Sequence, residues 1–112
     1  MTENSAMDAR MLDRLFDLVE ERKTHDPDKS YVASLYKKGR QKIAQKVGEE
    51  AVETVIAATT DKRDEIIGES ADLLFHLMVL WADSGVRPTE IYAELARREG
   101  VSGHDEKAAR QN

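Results

Sequence analysis

Residues 42–72 read KIAQKVGEEAVETVIAATTDKRDEIIGESAD, and this stretch decides the fold. Apolar residues recur every three or four positions in both halves, which predicts two consecutive helices. Helix neighbours at i,i+3 or i,i+4 lie close together, and like charges there cost roughly a few tenths of a kcal/mol per pair. A divalent cation would reverse the sign of that cost. Five carboxylates have such spacings: Glu49, Glu50, Glu53, Glu69 and Asp72.

The remaining sequence predicts further helices and no competing β structure. The predicted helices run from Asp8 to Lys23, from the cap Ser30 to Gly39, from about Arg40 to Ala58, from the cap Asp61 to about Asp83, and from Pro88 to Gly100. Ser84-Gly85 is expected to stop the fourth of these helices. The expected fold is all-α, a four- to five-helix bundle in a single domain over residues 1–112. Its core spans about 8–100, and residues 101–112 form a polar, frayed tail.

Helical periodicity predicts the apolar faces of the later helices. The apolar face of the third helix consists of Ile43, Val47, Ala51, Val55 and Ala58, and the residues expected to point inward on the last helix are Ile91, Tyr92, Leu95 and Ala96. The fourth helix is apolar around most of its circumference, leaving a narrow polar arc of Glu65, Glu69, Asp72, His76 and Asp83. A helix this apolar belongs in a bundle centre or a subunit interface, so the bundle is expected to be completed by dimerisation.

Composition excludes several classes of function. A net charge of -5 does not support general binding of nucleic acid. The chain has no cysteine, which excludes disulfides, thiolate nucleophiles and cysteine-based metal sites. The start of the chain lacks the pattern of a signal peptide, and the longest apolar run, Leu77 to Ala82, is far too short to span a membrane. We therefore expect a cytoplasmic protein without a membrane partner.

The acidic stripe has two interpretations. On an arbitrary helix, a solvated face is the commoner explanation. Here, however, no lysine or arginine occurs from Asp64 to Val86, and the acids lie on the most apolar helix, where unpaired charges are costly to bury. An all-oxygen ligand set favours Mg²⁺ or Mn²⁺ with a polyphosphate over zinc. A di-iron centre is disfavoured because no Glu-x-x-His pair is present.

Basic residues and one histidine surround this stripe. Lys42 and Lys46 share the carboxylate side of the helix, and as a cluster with Lys37, Lys38 and Arg40 they suit a ligand with several phosphates. Surface salt bridging, for instance from Lys46 to Glu50, is the alternative for any single lysine. His76 lies one turn beyond Asp72 and is either a fifth group of the site or a histidine satisfied in the core or at an interface.

The sequence also resembles a known family. Shared motifs are Ser30-Tyr31-x-x-x-Leu35-x-x-x-Gly39, the run from Lys42 to Glu53, and Glu69-Ser70-Ala71-Asp72-Leu73-Leu74-Phe75-His76-Leu77. Over roughly Leu12 to Gly100 they resemble the phosphoribosyl-ATP pyrophosphatases of histidine biosynthesis. The pattern Glu-Glu-x-x-Glu followed by Glu-x-x-Asp resembles the MazG-type all-α nucleotide pyrophosphohydrolases in general. No fused cyclohydrolase domain is expected.

This resemblance implies hydrolysis of N1-(5-phosphoribosyl)-ATP to phosphoribosyl-AMP and pyrophosphate with Mg²⁺, in a homodimer. The metal ligands it implies are Glu50, Glu53, Glu69 and Asp72, with Glu49 as an outer ligand or the base that orients water. Phosphate binding is expected from Lys42, Lys46, Lys38, Arg40, Ser30 and Tyr31. Two alternatives stay open: a general MazG-type enzyme acting on ordinary or damaged nucleoside triphosphates, and a non-catalytic helical dimerisation module.

Overall fold

The computed structural model describes residues 7–101 together with residues 103, 107 and 110, and no strand occurs among them. The α-helices are α1 (Arg10–Glu21), α2 (Tyr31–Lys38), α3 (Arg40–Thr59), α4 (Arg63–Ser84) and α5 (Pro88–Arg98), with a 3-10 turn (Arg22–Thr24) after α1. The predicted all-α bundle is confirmed. The predicted frayed tail, residues 101–112, falls largely outside the described residues.

Local chemistry determines most helix ends, as predicted. The Ser30 hydroxyl accepts a hydrogen bond from the Ala33 N–H at 3.1 Å and caps α2. Gly39 ends α2 at φ 97°, and Gly85 ends α4 at φ 75°, conformations that residues with a Cβ rarely adopt. Pro88 occupies the first turn of α5, where its missing N–H has no intrahelical partner to lose. Each boundary is readable from a few neighbouring residues.

Asp61 does not cap α4, so that prediction is wrong. Its backbone has φ 53°, in the left-handed region that aspartate tolerates better than most residues. The N–H groups of Asp61 and Lys62 donate to the carbonyls of Ala58 and Ala57, both at 3.2 Å. Lys62 precedes α4 without a side-chain cap. Asp61 therefore closes α3, since a short polar residue suits either end of a helix.

The core lies at one end of the hairpin formed by α3 and α4. Helix α1 packs against α4, and α2 packs against α3. Helices α1 to α4 all contribute buried apolar side chains to this core: Phe16, Val19, Val32, Leu35, Ile43, Met78, Val79 and Ala82. Those from the hairpin belong to the beginning of α3 and the end of α4. Only this end of the hairpin is covered by other described parts of the chain.

The apolar face of α3 is only partly buried within the chain. Val55 is 60% exposed and Ala58 is also exposed, whereas Glu50 is buried. The side of α3 that packs within the chain follows Ile43, Glu50 and Ala57. Apolar periodicity cannot show which side a neighbouring helix will cover, and here part of the apolar surface is left outside.

The predicted inward face of α5 also needs correction. Ile91 and Tyr92 are half-buried, but Leu95 is 58% exposed and Ala96 is exposed. Helix α5 packs on α1 through its first turns, where the Tyr92 hydroxyl donates to Asp13 at 3.1 Å. The second half of α5 extends past that contact, so its apolar residues gain no partner among the described residues.

Candidate active site

Carboxylates from the two helices of the hairpin meet near its middle. One oxygen each from Glu50 on α3 and from Glu69 and Asp72 on α4 lie within 4.8 Å of one another. Glu50 is 8% exposed, Glu69 is half-buried and Asp72 is exposed. The three acids therefore form a cluster that is closed on the α3 side and open to solvent at Asp72.

Two oxygens of this cluster lack the partners that buried polar atoms require. Glu50 Oε2 and Glu69 Oε1 are buried and accept no hydrogen bond from any described residue. An unsatisfied buried acceptor costs about 1–3 kcal/mol. A hard cation would satisfy both, since such ions take oxygen ligands. The residues present thus fit a divalent cation.

The pKa values of the cluster also favour a bound cation, and Glu53 contributes to them. Burial first, and then the hydrogen bond and charge of Glu53, raise the pKa of Glu69 to about 7. The same causes, in the same order, raise the pKa of Glu50, and the charge of Asp72 adds to them. Carboxylates that resist ionisation together gain most from a cation that binds the ionised form.

His76 connects this cluster to the start of α2. Its Nδ1 lies 2.8 Å from the backbone carbonyl of Asp72, which only accepts, so Nδ1 carries the proton and donates. Nε2 therefore accepts from the Tyr31 hydroxyl at 2.9 Å. Both ring nitrogens are occupied and the side chain is buried. Of the two interpretations of His76, the structure favours the satisfied histidine, which here fixes Tyr31 beside the carboxylates.

Lys46 and Glu49 form a polar edge next to the cluster. Lys46 Nζ lies 3.2 Å from Glu49 Oε1, and Gln45 Nε2 donates to Glu49 Oε2 at 2.7 Å. Gln45 first, and then Lys46, lower the pKa of Glu49. Glu49 raises the pKa of Lys46, with a further contribution from Tyr31. The ion pair of Lys46 is thus with Glu49 and not with Glu50, the example suggested by the sequence.

The other predicted phosphate-binding residues are divided between two regions. Lys42 is half-buried one turn before Lys46, and Ser30 adjoins Tyr31. By contrast, Arg40 donates to the Asp83 carbonyl at 3.0 Å and pairs with its carboxylate. Asp83 is eleven residues beyond Asp72, or about 16 Å along a helix. The structure therefore does not bring Arg40, or the adjacent exposed Lys38, to the carboxylates.

A cavity on the other side of Tyr31 contains residues that the sequence analysis did not single out. It is lined by Leu18, Val19, Arg22, Lys29, Ser30, Tyr31, Val32 and Phe75. Arg22 follows α1, and Lys29 lies in the connection to α2. Neither has a motif around it that marks a site, because the two meet only through tertiary packing.

None of the helices in the described part of the chain combines the length and hydropathy needed to cross a membrane.

Comparison with known proteins identifies the family. The family model described as phosphoribosyl-ATP pyrophosphohydrolase matches residues 12–99. A phosphoribosyl-ATP pyrophosphatase of Paramagnetospirillum magneticum is 59% identical over 105 residues, covering 94% of this chain and 96% of the relative. A relative of the same name in Rhizorhabdus wittichii is 60% identical over 99 residues, covering 88% of this chain and 93% of the relative. Another in Azospirillum brasilense is 56% identical over 104 residues, covering 93% of this chain and 94% of the relative. The chain belongs to the phosphoribosyl-ATP pyrophosphohydrolase family.

Proposed function

We propose that this protein hydrolyses N1-(5-phosphoribosyl)-ATP to N1-(5-phosphoribosyl)-AMP and pyrophosphate, a step of histidine biosynthesis. The similar proteins are named for this activity, and they match the chain over nearly their whole length. The observation that carries the proposal to this chain's own residues is the acidic cluster with its two buried, unpartnered oxygens. Such a cluster suits chemistry on a triphosphate bound through a cation.

The cation we propose is Mg²⁺, with Mn²⁺ as a substitute, and its ligands are Glu50, Glu53, Glu69 and Asp72. When bound, it supplies charge neutralisation and polarisation of phosphoryl oxygens during displacement at phosphorus. Support comes from the grouping of Glu50, Glu69 and Asp72 and from the effect of Glu53 on its neighbours' pKa values. All four ligands come from a single hairpin, whose helices hold them in place.

The residues around the cluster have complementary roles in this proposal. Lys46, held between Glu49 and Tyr31, would bind oxygens of the triphosphate, and Lys42 would add positive charge one turn away. Glu49 was predicted as an outer ligand or as the base. Its lowered pKa makes it a weak proton acceptor, and its contacts support a role in orienting Lys46.

The reaction itself needs no covalent enzyme intermediate. A water oxygen attacks the α-phosphorus, and the bond from that phosphorus to the oxygen bridging to the β-phosphorus breaks. Pyrophosphate leaves with the electron pair of the broken bond, and the water proton passes to a carboxylate of the cluster or to solvent.

The direct test is pyrophosphate release by the purified protein with Mg²⁺. We expect rapid turnover of phosphoribosyl-ATP and little turnover of a panel of unmodified nucleoside triphosphates. Rapid turnover of the unmodified triphosphates would instead favour the general MazG-type alternative. Absence of any turnover, in a protein shown to be folded, would contradict the proposal and revive the non-catalytic dimerisation module.

We also propose that the protein is a homodimer. Beyond the carboxylates, α3 and α4 expose Val52, Val55, Ile56 and Ile67, each at least 55% accessible. These residues form an apolar surface that no described part of the chain covers, which is typical of an interface. Sedimentation should give twice the 12.6 kDa mass of the chain, and Val55→Glu should shift the protein towards the monomer. A wild-type monomer at micromolar concentration would contradict this.

With a net charge of -5, we expect no nucleic-acid partner. A biosynthetic role with a soluble nucleotide substrate is consistent with the cytoplasm, which we propose as its location.

A further inference from the structure

A cavity of about 270 Å³ opens between α1, the connection to α2, and α4. We propose that this cavity binds the phosphorylated pentose by which phosphoribosyl-ATP differs from ATP, and that Arg22 and Lys29 bind its phosphate. This inference rests on the proposed function and extends it, because it assigns the residues that distinguish the two substrates.

The shape and lining of the cavity suit part of a substrate. Its volume lies just below the roughly 300–1,000 Å³ of pockets that enclose a whole drug-sized ligand. Apolar side chains of Leu18, Val19 and Phe75 form much of its wall, and Arg22 and Lys29 supply the charge. A sugar phosphate can pack the C–H groups of its ring against such a wall, and its phosphate supplies the anionic end.

The charge of the cavity stands out from that of the chain as a whole. The protein has 22 acidic residues and a net charge of -5, yet none of the described residues that line this cavity is acidic. Among the described residues, neither Arg22 nor Lys29 forms an ion pair with a carboxylate. The Arg22 guanidinium approaches His25 Nδ1 at 3.5 Å. Two cations without anionic partners beside a cavity favour an anionic ligand.

The position of the cavity next to the carboxylates connects it to the reaction. Tyr31 forms part of its wall, and the Tyr31 hydroxyl bonds to His76, which in turn bonds to the backbone of Asp72. Tyr31 and His76 therefore link the cavity to the turn of α4 that carries Asp72. A substrate with its triphosphate at the carboxylates can extend its other phosphorylated end past Tyr31 into the cavity.

The basic group at the far end of α2 does not offer the same arrangement. Arg40 pairs with Asp83, which lies eleven residues beyond Asp72 on α4, and Lys38 is exposed near Arg40 in the sequence. Arg22 and Lys29 are thus better placed than Lys38 and Arg40 to receive the second phosphate of the substrate.

The test compares Arg22→Gln and Lys29→Gln with the wild type on two measurements. Loss of a charged hydrogen bond to phosphate should lower kcat/KM for phosphoribosyl-ATP by about 10- to 100-fold, mainly through KM. In calorimetry, the wild type should bind phosphoribosyl-AMP more tightly than AMP, and the variants should lose that preference. Arg22→Lys should retain part of it, because the charge remains.

Arg10→Gln is the control for removal of a cation from α1, since Arg10 is exposed and pairs with Asp8 on the surface. It should leave both measurements unchanged. The cavity assignment is overturned if Arg22→Gln and Lys29→Gln retain the wild-type preference, or if they weaken AMP and phosphoribosyl-AMP equally. A wild type with no turnover but with the binding preference, lost in both variants, would contradict the proposed activity and still support the cavity assignment.

Discussion

Glu50→Gln is expected to lower Mg²⁺-dependent hydrolysis of phosphoribosyl-ATP by about 10³-fold or more, because a cation ligand contributes several kcal/mol to stabilising the transition state. Glutamine keeps the size of the side chain and removes its charge. Glu50 is buried at the junction of α3 and α4, so no solvent-exposed acid can easily replace it. Steady-state pyrophosphate release at saturating Mg²⁺ measures this loss.

The same substitution should leave the metal-free fold as stable as the wild type or more so. Burial and the neighbouring charges of Glu53 and Asp72 already raise the pKa of Glu50, and a neutral amide relieves that repulsion. Glu65→Gln is the matched control: Glu65 lies on α4, is exposed and pairs with Lys62 at 3.7 Å. It should retain activity. A large fall in the unfolding midpoint of metal-free Glu50→Gln would show that Glu50 serves the fold and not the site.

Mg²⁺ or Mn²⁺ is expected to raise the midpoint of thermal unfolding of the wild-type protein at pH 8. A ligand at 100 times its dissociation constant, bound only by the folded state, stabilises it by about 2.7 kcal/mol. For a domain of this size that corresponds to roughly 10 °C. Differential scanning with EDTA or with the cation measures the shift. Glu50→Gln should show little of it, and equal shifts in both proteins would place the cation elsewhere.

The pH dependence of this stabilisation follows from Glu69. Its pKa is about 7 in the folded protein, against an ordinary value of 4.5 for a glutamate. The folded protein without metal therefore holds an extra proton between these values, and the associated stability, complete below about pH 4.5, is lost as the pH rises through 7. Because a cation competes with that proton, its effect should be larger at pH 8 than at pH 6.

Glu69→Gln separates this contribution from other titrations. Without metal, the difference in unfolding midpoint between Glu69→Gln and the wild type should widen in favour of the variant from pH 5 to pH 8. A constant difference across that range would mean that Glu69 ionises with an ordinary pKa and that the acids are not close enough to interact.

The predictions that the structure confirms rest on short stretches of chain. Ser30 as a cap, Gly39 and Gly85 as helix ends, and Pro88 in a first turn each depend on backbone chemistry within about four residues. The predictions that failed depended on how separate parts of the chain pack together. Asp61 could have started one helix or ended another, and the buried side of α5 depends on which neighbours reach it.

The candidate site divides in the same way. Spacing alone placed Glu50, Glu69 and Asp72 on two adjacent helices. Because a short connection joins these helices, the three acids were expected to lie close together, as they do. Spacing could not show that Glu49, adjacent to Glu50, turns instead to Gln45 and Lys46. Adjacent residues on a helix point about 100° apart, so small differences in helix rotation decide which one enters the cluster.

The sequence by itself determined the helices, most of their ends, the acidic character of the hairpin and, through its motifs, the family. These features follow from local periodicity, capping and residue type. Only the tertiary structure decided that Glu50 is buried, that Tyr31 meets His76 across 45 residues, and that Arg22 and Lys29 flank one cavity. The physical reason is that burial and contact between distant segments depend on how the helices pack, which no single segment encodes.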